Sequence, residues 1–320
     1  MKPFAFVFPG QGSQAVGMLD AWGDDAAVTQ TVQEASDALG QDIGQLIHDG
    51  PKEALALTTN TQPAMLVAGV AAYRAWMART GIAPVVVAGH SLGEYAALVA
   101  AGVLTMSQAA PLVRLRARAM QQAVPVGLGS MAAVLGLPPD QVLACCARVQ
   151  AQLGPDSAEV VEVANFNDPG QTVISGSKLA VDRACEALKA EGARRAMLLP
   201  VSAPFHCSLM RPAAEELRAA LEDIELQTPR IALINNIDVA VEVDADRIRD
   251  ALFRQAFGAV RWVECIQAIR DRGLQHVVEC GPGKVLAGMV ARIDTGLSGL
   301  AMYDPTTVRQ AQQALQGEVA

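Results

Sequence analysis

The chain has 320 residues, of which 51% are hydrophobic and only 4% aromatic, and its mean hydropathy is +0.25. This composition is typical of a folded protein with an aliphatic core and excludes a disordered or fibrous chain. The net charge of −8 and the isoelectric point near 5.1 argue against nucleic acid as a general partner.

Neither the cysteines nor the apolar segments indicate a secreted or membrane-bound protein. The six cysteines show no C-x-x-C spacing and no dense framework, so we expect reduced thiols rather than disulfides or a zinc site. The apolar run at the N-terminus is too short for the core of a signal peptide. Apolar stretches at 64–72 and 82–104 are interrupted before they reach membrane-spanning length. We therefore expect a cytoplasmic protein without a membrane segment, metal or cofactor.

The N-terminal part of the chain alternates between strand and helix patterns. Residues 4–8 predict a short buried strand, which leads into the glycine-rich turn Pro9-Gly10-Gln11-Gly12-Ser13-Gln14. That turn lacks the Lys-Ser/Thr ending of a phosphate-binding loop, so a nucleotide site is not indicated. An amphipathic helix is predicted over 24–47. A long apolar helix is predicted from Thr61 through Trp76, with Pro63 in its first turn.

The clearest chemical motif lies between residues 85 and 100. An apolar, β-branched run ends at Gly89, Ser91 follows in Gly89-His90-Ser91-Leu92-Gly93, and an alanine-rich helix begins. Strand, G-x-S-x-G and helix in this order predict a nucleophile elbow, in which a tight turn presents the serine above the sheet edge. The helix start also supplies free backbone N–H groups beside the serine oxygen. The alternative is an ordinary Gly/Ser turn between a strand and a helix.

The helix predicted over 107–122 contains three arginines with different surroundings. Arg114 and Arg118 are four residues apart and share a polar face, whereas Arg116 has the apolar neighbours Leu112 and Met120. A buried guanidinium must find an anion, because burying an unpaired charge is costly. The anion is either a structural carboxylate or the carboxylate of a substrate.

After Pro125 the pattern changes to a series of short elements. Strands are predicted at 131–137, 160–165, 172–175 and 196–201, and helices at 139–153 and 179–191. Their order, βαββαβ, is that of a ferredoxin-like lobe. Further strands at 231–235 and 277–280 are typical of buried parallel strands. We therefore predict an α/β protein with two parts. A large α/β-hydrolase-like domain with a central, mostly parallel sheet covers 1–126 and 201–320, and a small ferredoxin-like lobe is inserted over 127–200.

A serine hydroxyl needs a positioned base before it acts as a nucleophile. Of the four histidines, His206 is the best candidate because it follows the last strand of the lobe, at the domain junction and after the serine in chain order. His90 lies inside the turn, where neighbouring side chains point away from the nucleophile, and His48 and His276 have structural or exposed surroundings. No aspartate is singled out as a third triad member. A histidine oriented by a neutral group would activate water less well, which suits a transferase.

With these residues identified, the sequence resembles the bacterial malonyl-CoA:acyl carrier protein transacylases, enzymes that load malonyl units for fatty acid synthesis. The resemblance rests on short motifs that follow one another nearly from end to end. They are Phe8-Pro9-Gly10-Gln11-Gly12-Ser13-Gln14, Thr61-Gln62-Pro63-Ala64, Gly89-His90-Ser91-Leu92-Gly93-Glu94-Tyr95, Arg116 with Met120, Gly129-Ser130-Met131-Ala132-Ala133-Val134, Asn165-Phe166-Asn167 ahead of Pro169-Gly170-Gln171, Pro204-Phe205-His206-Cys207-Ser208-Leu209-Met210, Arg254-Gln255, and Gly281-Pro282-Gly283-Lys284-Val285-Leu286.

The resemblance implies a role for each matching site residue. Ser91 is acylated, His206 is its general base, and Gln255 orients the histidine. The backbone N–H groups of Leu92 and Gln11 form the oxyanion hole. On the substrate side, Arg116 binds the free malonyl carboxylate. The pocket is lined by Met120, Asn165 and Phe205.

The implied reaction is transfer of a malonyl group from malonyl-CoA to the thiol of acyl carrier protein through a malonyl-serine. Malonyl-CoA and acyl carrier protein are the expected partners, and a monomer is expected. One alternative is the malonyltransferase subunit of a malonate decarboxylase, and another is a stand-alone acyltransferase of a polyketide pathway. A more distant alternative is a thioesterase or esterase with the same elbow. Arg116 argues against it, since ordinary esters carry no carboxylate at that place.

Four residues qualify the resemblance. Gly258 and Ala259 stand where many relatives have Asn-Pro, so we expect a differently shaped loop around Gln255. Phe205 is bulky, which in related acyltransferases goes with malonyl rather than α-methylated units. Asp168 stands where a small residue is expected, with no assigned consequence.

Overall fold

The computed structural model describes residues 1–154 and 156–316. Within these ranges the chain forms nine strands, thirteen α-helices and two short 3-10 helices at Asp20–Trp22 and Ser208–Met210. The strands are β1 (Phe4–Phe8), β2 (Val86–Gly89), β3 (Gly129–Leu135), β4 (Val161–Asp168), β5 (Gln171–Ser177), β6 (Arg195–Leu198), β7 (Ala232–Ile234), β8 (His276–Cys280) and β9 (Ser298–Met302). The helices are α1 (Ala26–Leu39), α2 (Ile43–Asp49), α3 (Lys52–Ala56), α4 (Thr58–Thr80), α5 (Gly93–Ala100), α6 (Met106–Ala123), α7 (Pro139–Leu153), α8 (Lys178–Ala190), α9 (Arg211–Glu222), α10 (Ala245–Phe257), α11 (Trp262–Arg270), α12 (Val285–Ile293) and α13 (Pro305–Gln316).

Five strands form a central parallel sheet in the order β7-β2-β1-β8-β9. All five residues of β1, the middle strand, are buried, as expected for a parallel strand covered on both faces. Phe6 packs edge-to-face on Trp76 of α4 on one side, whereas Val7 belongs to a second core cluster with Trp262 of α11. Helices therefore cover both faces of the central sheet. The carboxyl ends of β1 and β2 meet at one edge of it.

The chain between α6 and α9 forms a second, antiparallel sheet in the order β4-β5-β3-β6. Helices α7 and α8 cover one face of this sheet, where Val134, Ile174 and Val181 share a core. On the other face, Met131 and Val173 pack into the core that the central sheet forms with its helices. The smaller sheet is therefore seated on the larger part of the molecule through one of its two faces.

Every predicted strand is present, with ends that differ from the prediction by about three residues or fewer. Strand β9 was not predicted. It is a partly exposed strand at the edge of the sheet, and its sequence Ser-Gly-Leu-Ala-Met has no β-branched residue.

The single helix predicted over 24–47 is wrong, because this segment forms two helices, α1 and α2. Gly40 has a left-handed conformation (φ +60°) and ends α1. The side chain of Asp42 then accepts a hydrogen bond from the N–H of Gln45 (2.8 Å) and begins α2. Gly-x-Asp is thus a C-cap followed by an N-cap.

Helix α4 begins three residues before the predicted start, so the placement of Pro63 in a first turn is also wrong. Leu57 is extended and separates α3 from α4, and its carbonyl accepts the N–H of Thr61 (2.8 Å). Pro63 is therefore the sixth residue of the helix.

All six cysteines are buried free thiols. Across residues 1–154 and 156–316, no helix is both long and apolar enough to cross a membrane. The same residues contain no group of three or more histidine, cysteine or carboxylate side chains arranged to hold a metal ion.

Candidate active site

Ser91 lies at the carboxyl edge of the central sheet, in the tight turn between β2 and α5. Its φ of +53° is a left-handed conformation, which is rare outside glycine and concentrated at functional sites. The flanking glycines are required by close contacts. A Cβ on Gly89 would lie 1.9 Å from the carbonyl carbon of Gly93, and a Cβ on Gly93 would lie 2.1 Å from the carbonyl oxygen of Phe8.

A buried asparagine, to which no sequence motif pointed, holds this turn from the neighbouring strand. Asn236 follows β7, the strand beside β2, and is fully buried. Its Oδ1 accepts a hydrogen bond from the N–H of Ser91 (2.7 Å), and its Nδ2 donates to the carbonyl oxygen of Gly89 (2.7 Å). One side chain therefore fixes both sides of the serine turn.

His206 reaches the serine from the loop that follows the small sheet. Its side chain is buried, and Nε2 lies 2.6 Å from Oγ of Ser91. On the other side of the ring, Nδ1 lies 3.0 Å from the backbone oxygen of Gln255 and 3.2 Å from that of Gly258. Because a carbonyl oxygen only accepts, Nδ1 carries the proton and Nε2 accepts from the serine hydroxyl. The ring therefore has the tautomer of a general base.

No carboxylate among the described residues occupies the position of a third triad member. Asp238 accepts two hydrogen bonds from Arg254 (2.7 and 2.6 Å), and Asp250 accepts a third from the same side chain (2.7 Å). Two neutral carbonyl groups orient His206 instead. The contact with Gln255 is made by its backbone oxygen, and its amide side chain points elsewhere.

The surroundings of His206 keep its imidazole neutral. Burial and, next in size, the positive charge of Arg116 lower the pKa of the ring to about 3, which the two carbonyl groups only partly offset. At neutral pH, Nε2 is therefore free to take the serine proton.

Arg116 contacts the same serine from α6. It is 2% exposed, and its Nη2 donates to Oγ of Ser91 and to Oε1 of Gln255, both at 3.2 Å. Its Nη1 donates to Oε1 of Gln62 (2.6 Å), and the guanidinium lies over the ring of Tyr95. Within the described residues its Nε has no hydrogen-bond partner, and no carboxylate forms a salt bridge with this side chain. Burial lowers the pKa of Arg116, and the charges of Tyr95 and Glu94 partly offset this without a direct contact from Glu94.

A cavity of about 140 Å³ lies next to Ser91, His206 and Arg116. It is lined by most of the residues that the resemblance singles out: Gln11, Ser91, Arg116, Met120, Asn165, Phe205 and His206. The remaining two, Leu92 and Gln255, are buried beside the serine. The structure adds His90, Met131 and Val201 to the lining.

His90 also lines the cavity, and its ring contacts Asn167 and Trp262 rather than Ser91. Its Nε2 donates to Oδ1 of Asn167 (2.8 Å) in the small sheet. Burial lowers the pKa of this ring, so the side chain is a neutral contact between the two parts of the molecule.

Two backbone N–H groups have no acceptor within the described residues: that of Leu92, the residue after Ser91, and that of Gln11, which lines the same cavity as the serine. The N–H of Gly93, by contrast, donates to the carbonyl of His90 (2.9 Å). Leu92 is the N-cap of α5, where the helix dipole is positive. The arrangement can therefore stabilise negative charge that develops next to Oγ, and the nucleophile, base and cation together suit acyl transfer to or from a carboxylate-bearing substrate.

Comparison with known proteins also indicates an acyltransferase. The family model described as the acyl transferase domain matches residues 5–303. The malonyl CoA-acyl carrier protein transacylase of Escherichia coli K12 is 47% identical over 312 residues, which cover 97% of this chain and 99% of that protein. The chain belongs to the malonyl CoA-acyl carrier protein transacylase family.

Solved structures of this transacylase family are equally similar. The acyl-carrier-protein S-malonyltransferase of Burkholderia pseudomallei has 57% identity and a TM-score of 0.93, over 98% of this chain and 99% of that one. A malonyl-transacylase in complex with a type II polyketide synthase acyl carrier protein has 47% identity and a TM-score of 0.93, over 97% and 98% of the two chains.

Two of the residues that depart from the transacylase pattern, Gly258 and Asp168, have structural explanations. Gly258 presents its carbonyl oxygen to His206, and a Cβ there would lie 2.4 Å from Cδ1 of Ile237, so a glycine fits this loop. Asp168 is buried at the end of β4, where it accepts hydrogen bonds from the N–H of Gly170 (2.9 Å) and from Nε of Arg292 (2.8 Å).

Three polar residues of the site have no role in the sequence-based prediction. Gln62 and Glu94 lie inside quoted motifs of the transacylase family, and their position there is the signal that could have identified them. Asn236 has a weaker signal: it follows a predicted parallel strand, and side chains at this edge of such a sheet converge.

Proposed function

We propose that this protein moves a malonyl group from malonyl-CoA to the thiol of an acyl carrier protein, through a malonyl ester of Ser91. One observation carries the proposal. Oγ of Ser91 contacts both Nε2 of His206 (2.6 Å) and Nη2 of Arg116 (3.2 Å), a buried guanidinium that forms no salt bridge with a carboxylate of the described residues. A nucleophile, a base and a binding site for an anion thus meet at one atom.

In the first half-reaction, Nε2 of His206 takes the hydroxyl proton while Oγ of Ser91 attacks the thioester carbon of malonyl-CoA. The carbonyl oxygen becomes an oxyanion, and the N–H groups of Leu92 and Gln11 stabilise it; losing one such donor typically costs about 3 kcal/mol. The C–S bond then breaks, and the imidazolium returns its proton to the thiolate of CoA. Malonyl-serine and free CoA result.

The second half-reaction repeats these steps with the carrier thiol. His206 takes the thiol proton, the thiolate attacks the malonyl ester, and the oxyanion forms in the same place. The C–O bond to Ser91 breaks, and His206 returns the proton to Oγ. The malonyl group leaves as a thioester of the carrier, and the serine is regenerated.

Selectivity for a malonyl group follows from Arg116. A guanidinium binds a carboxylate through two parallel hydrogen bonds, a geometry that no other side chain provides. An acetyl group would leave this buried cation without an anion, which is unfavourable. Met120, Asn165 and Phe205 limit the size of the acyl group, and bulky Phe205 favours malonyl over α-methylated units.

A hydrolase with the same elbow fits the site less well. In a Ser-His-Asp hydrolase, a carboxylate stabilises the imidazolium that forms, whereas backbone carbonyl oxygens of Gln255 and Gly258 orient His206 here. A polyketide pathway is the alternative with direct support, because one structural relative is bound to a polyketide carrier. That alternative changes the carrier and leaves the chemistry of Ser91 unchanged.

We further propose a division into two domains: an α/β-hydrolase-like domain over 1–126 and 201–320, and a ferredoxin-like lobe over 127–200. The nucleophile elbow between β2 and α5 supports the first. The βαββαβ order and the antiparallel order β4-β5-β3-β6 support the second. Substrate would then enter the cleft between them, where the cavity at Ser91 opens.

We propose that the enzyme acts in the cytoplasm and as a monomer. Six free cysteine thiols suit a reducing compartment. Ser91, His206 and Arg116 meet within a single chain, which suits a monomer.

The test is intact-protein mass spectrometry after brief mixing with malonyl-CoA or acetyl-CoA. We expect a malonyl adduct on the wild type, which the carrier thiol removes, and little acetylation. Ser91→Ala should form no adduct with either substrate. Arg116→Ala should lose most malonylation but retain the slow acetylation, because acetyl transfer does not use the guanidinium. Free malonate without an adduct would mean that water is the acceptor, and the proposed function would be wrong.

A further inference from the structure

Glu94 is a buried carboxyl group that no step of the proposed reaction uses. It lies in the first turn of α5 and is 1% exposed. Its Oε2 accepts hydrogen bonds from the N–H of Asn236 (2.9 Å) and from Nε2 of Gln255 (3.0 Å). Glu94 therefore connects the residue that holds the serine turn with the amide beside Arg116.

The amide of Gln255 has two chemically different ends, and its neighbours decide which way it points. Nε2 donates to Oε2 of Glu94 and to the backbone oxygen of Ser91 (3.0 Å). Oε1 is thereby left to accept from Nη2 of Arg116, a group that only donates. In a reversed amide, an oxygen would face two acceptors and an NH₂ group would face a cation.

This orientation matters because two of the three hydrogen bonds of Arg116 go to amide oxygens, and the third goes to Oγ of Ser91. Gln62 and Gln255 each accept one of its hydrogen bonds and fix the plane of the guanidinium without cancelling its charge. The charge remains available to a ligand. A misoriented Gln255 would withdraw one of these two supports and repel the cation.

We propose that Glu94 is a positioning residue for carboxylate selectivity: its Oε2 fixes the amide of Gln255, and that amide aims Arg116 at the carboxylate of the acyl group. The inference rests on the proposed malonyl transfer. It assigns Glu94 the part of a hydrogen-bond acceptor, which a glutamine oxygen can take over and an apolar side chain cannot. Transfer of an acetyl group, which has no carboxylate, uses Glu94 only through its contact with Asn236 and the serine turn, so it depends on Glu94 less than malonyl transfer does.

The test measures the acylation of Ser91 by malonyl-CoA and by acetyl-CoA in the wild type, Glu94→Leu and Glu94→Gln. We expect Glu94→Leu to lower kcat/KM for malonyl-CoA about 10- to 100-fold, the usual effect of a misplaced binding group. The value for acetyl-CoA should fall less, because acetyl transfer loses only the contact of Glu94 with Asn236, so the malonyl-to-acetyl ratio falls. Glu94→Gln should restore that ratio.

Glu279→Leu is the matched control. Glu279 is also buried, and burial raises its pKa to about 7, as it does for Glu94, but its Oε2 accepts the N–H of Ala287 (2.8 Å) at the start of α12. This variant should change thermal stability and leave the ratio unchanged. If Glu94→Leu does not fold, Glu94→Asp withdraws the same acceptor by one methylene, and the ratio is measured there.

The outcomes separate the inference from the proposed function. An unchanged ratio in the folded Glu94 variant, or an equal loss with both substrates, overturns the positioning role while wild-type malonylation stands. A ratio that falls equally in Glu94→Leu and Glu94→Gln also overturns it, because the acceptor oxygen is then not what matters. A wild type that forms no malonyl adduct overturns the proposed function and this inference with it.

Discussion

His206 is buried beside a fixed positive charge, and its strength as a base depends on what neutralises that charge. Arg116 lowers the pKa of the imidazole because it repels the imidazolium. A malonyl carboxylate bound to Arg116 would cancel much of this repulsion. The histidine would then take the serine proton more readily when a carboxylate-bearing substrate is bound. The arginine would thus favour malonyl groups twice, by binding them and by strengthening the base.

The pH dependence of acylation tests this arrangement. A histidine with an ordinary pKa of 6.5 is lost as a base when pH falls below that value, but a pKa of about 3 keeps the ring neutral. We therefore expect kcat/KM for wild-type malonylation to show no acid limb between pH 7 and pH 5. In Arg116→Ala the repulsion is gone and the pKa of His206 rises. As the pH is lowered, acetylation by this variant should therefore begin to fall at a higher pH than acetylation by the wild type. Single-turnover acylation between pH 5 and pH 8 measures both, and a wild-type midpoint near 6.5 would contradict the assignment.

At the scale of elements, β2, the serine turn and α5 form a unit that passes very close to the end of β1. Gly93 is the first residue of α5, and the carbonyl oxygen of Phe8 occupies the space of its missing Cβ. Backbone atoms cannot move aside as a flexible side chain does. The same contact places the N-terminus of α5 beside Ser91, so the glycine serves both folding and chemistry.

Gly93→Ala should therefore destabilise the protein by more than about 3 kcal/mol, or prevent folding, because a backbone clash cannot be relieved locally. Gly288→Ala is the matched control, since Gly288 also lies in a helix, α12, but the nearest atom to its added Cβ is 3.6 Å away in Arg292. That variant should gain about 0.5–1 kcal/mol, because alanine is the better helix former. Urea denaturation measures both, and a wild-type unfolding midpoint in Gly93→Ala would show that the turn is not so constrained.

These elements also show what the sequence could predict. The serine turn was predictable because its constraint is local: two glycines, four residues apart, mark a turn that few other sequences can form. The break between α1 and α2 is also local, in Gly40 and Asp42, but it interrupts an apolar period that continues on both sides. Asn236 has only the weak signal of its place after a predicted strand, since its partner Ser91 lies 145 positions away in the sequence.

At the scale of the whole molecule, the small sheet is attached by contacts between residues far apart in the chain. His90 meets Asn167 across 77 positions, and Arg292 meets Asp168 across 124. The parallel sheet and the separate series of short strands were predicted from the parallel-strand signals and the βαββαβ pattern, but the order of strands in the central sheet was not. The packing of one sheet on the other could not be predicted, because the spacing of apolar residues does not show which polar residues will form pairs between the two sheets.

The pair of Asp168 and Arg292 allows a test of how the small sheet is attached, because the side chains of the two residues differ in exposure. The side chain of Asp168 is 7% exposed and that of Arg292 is 53% exposed. Removing the arginine leaves a buried carboxylate with only the N–H of Gly170 to satisfy it, so Arg292→Met should cost about 1–3 kcal/mol. Asp168→Asn retains that N–H contact and leaves the arginine in water, so its cost should stay below about 1 kcal/mol.

The free energies of unfolding of the two variants, measured in urea, decide whether this pair stabilises the attachment of the small sheet. The larger loss must belong to Arg292→Met, the substitution at the more exposed position, which is the reverse of what exposure alone would suggest. If Asp168→Asn were the more damaging change, the carboxylate would matter for a reason other than its pairing with Arg292. Equal, negligible losses would mean that His90, Asn167 and the shared apolar core hold the lobe without the ion pair.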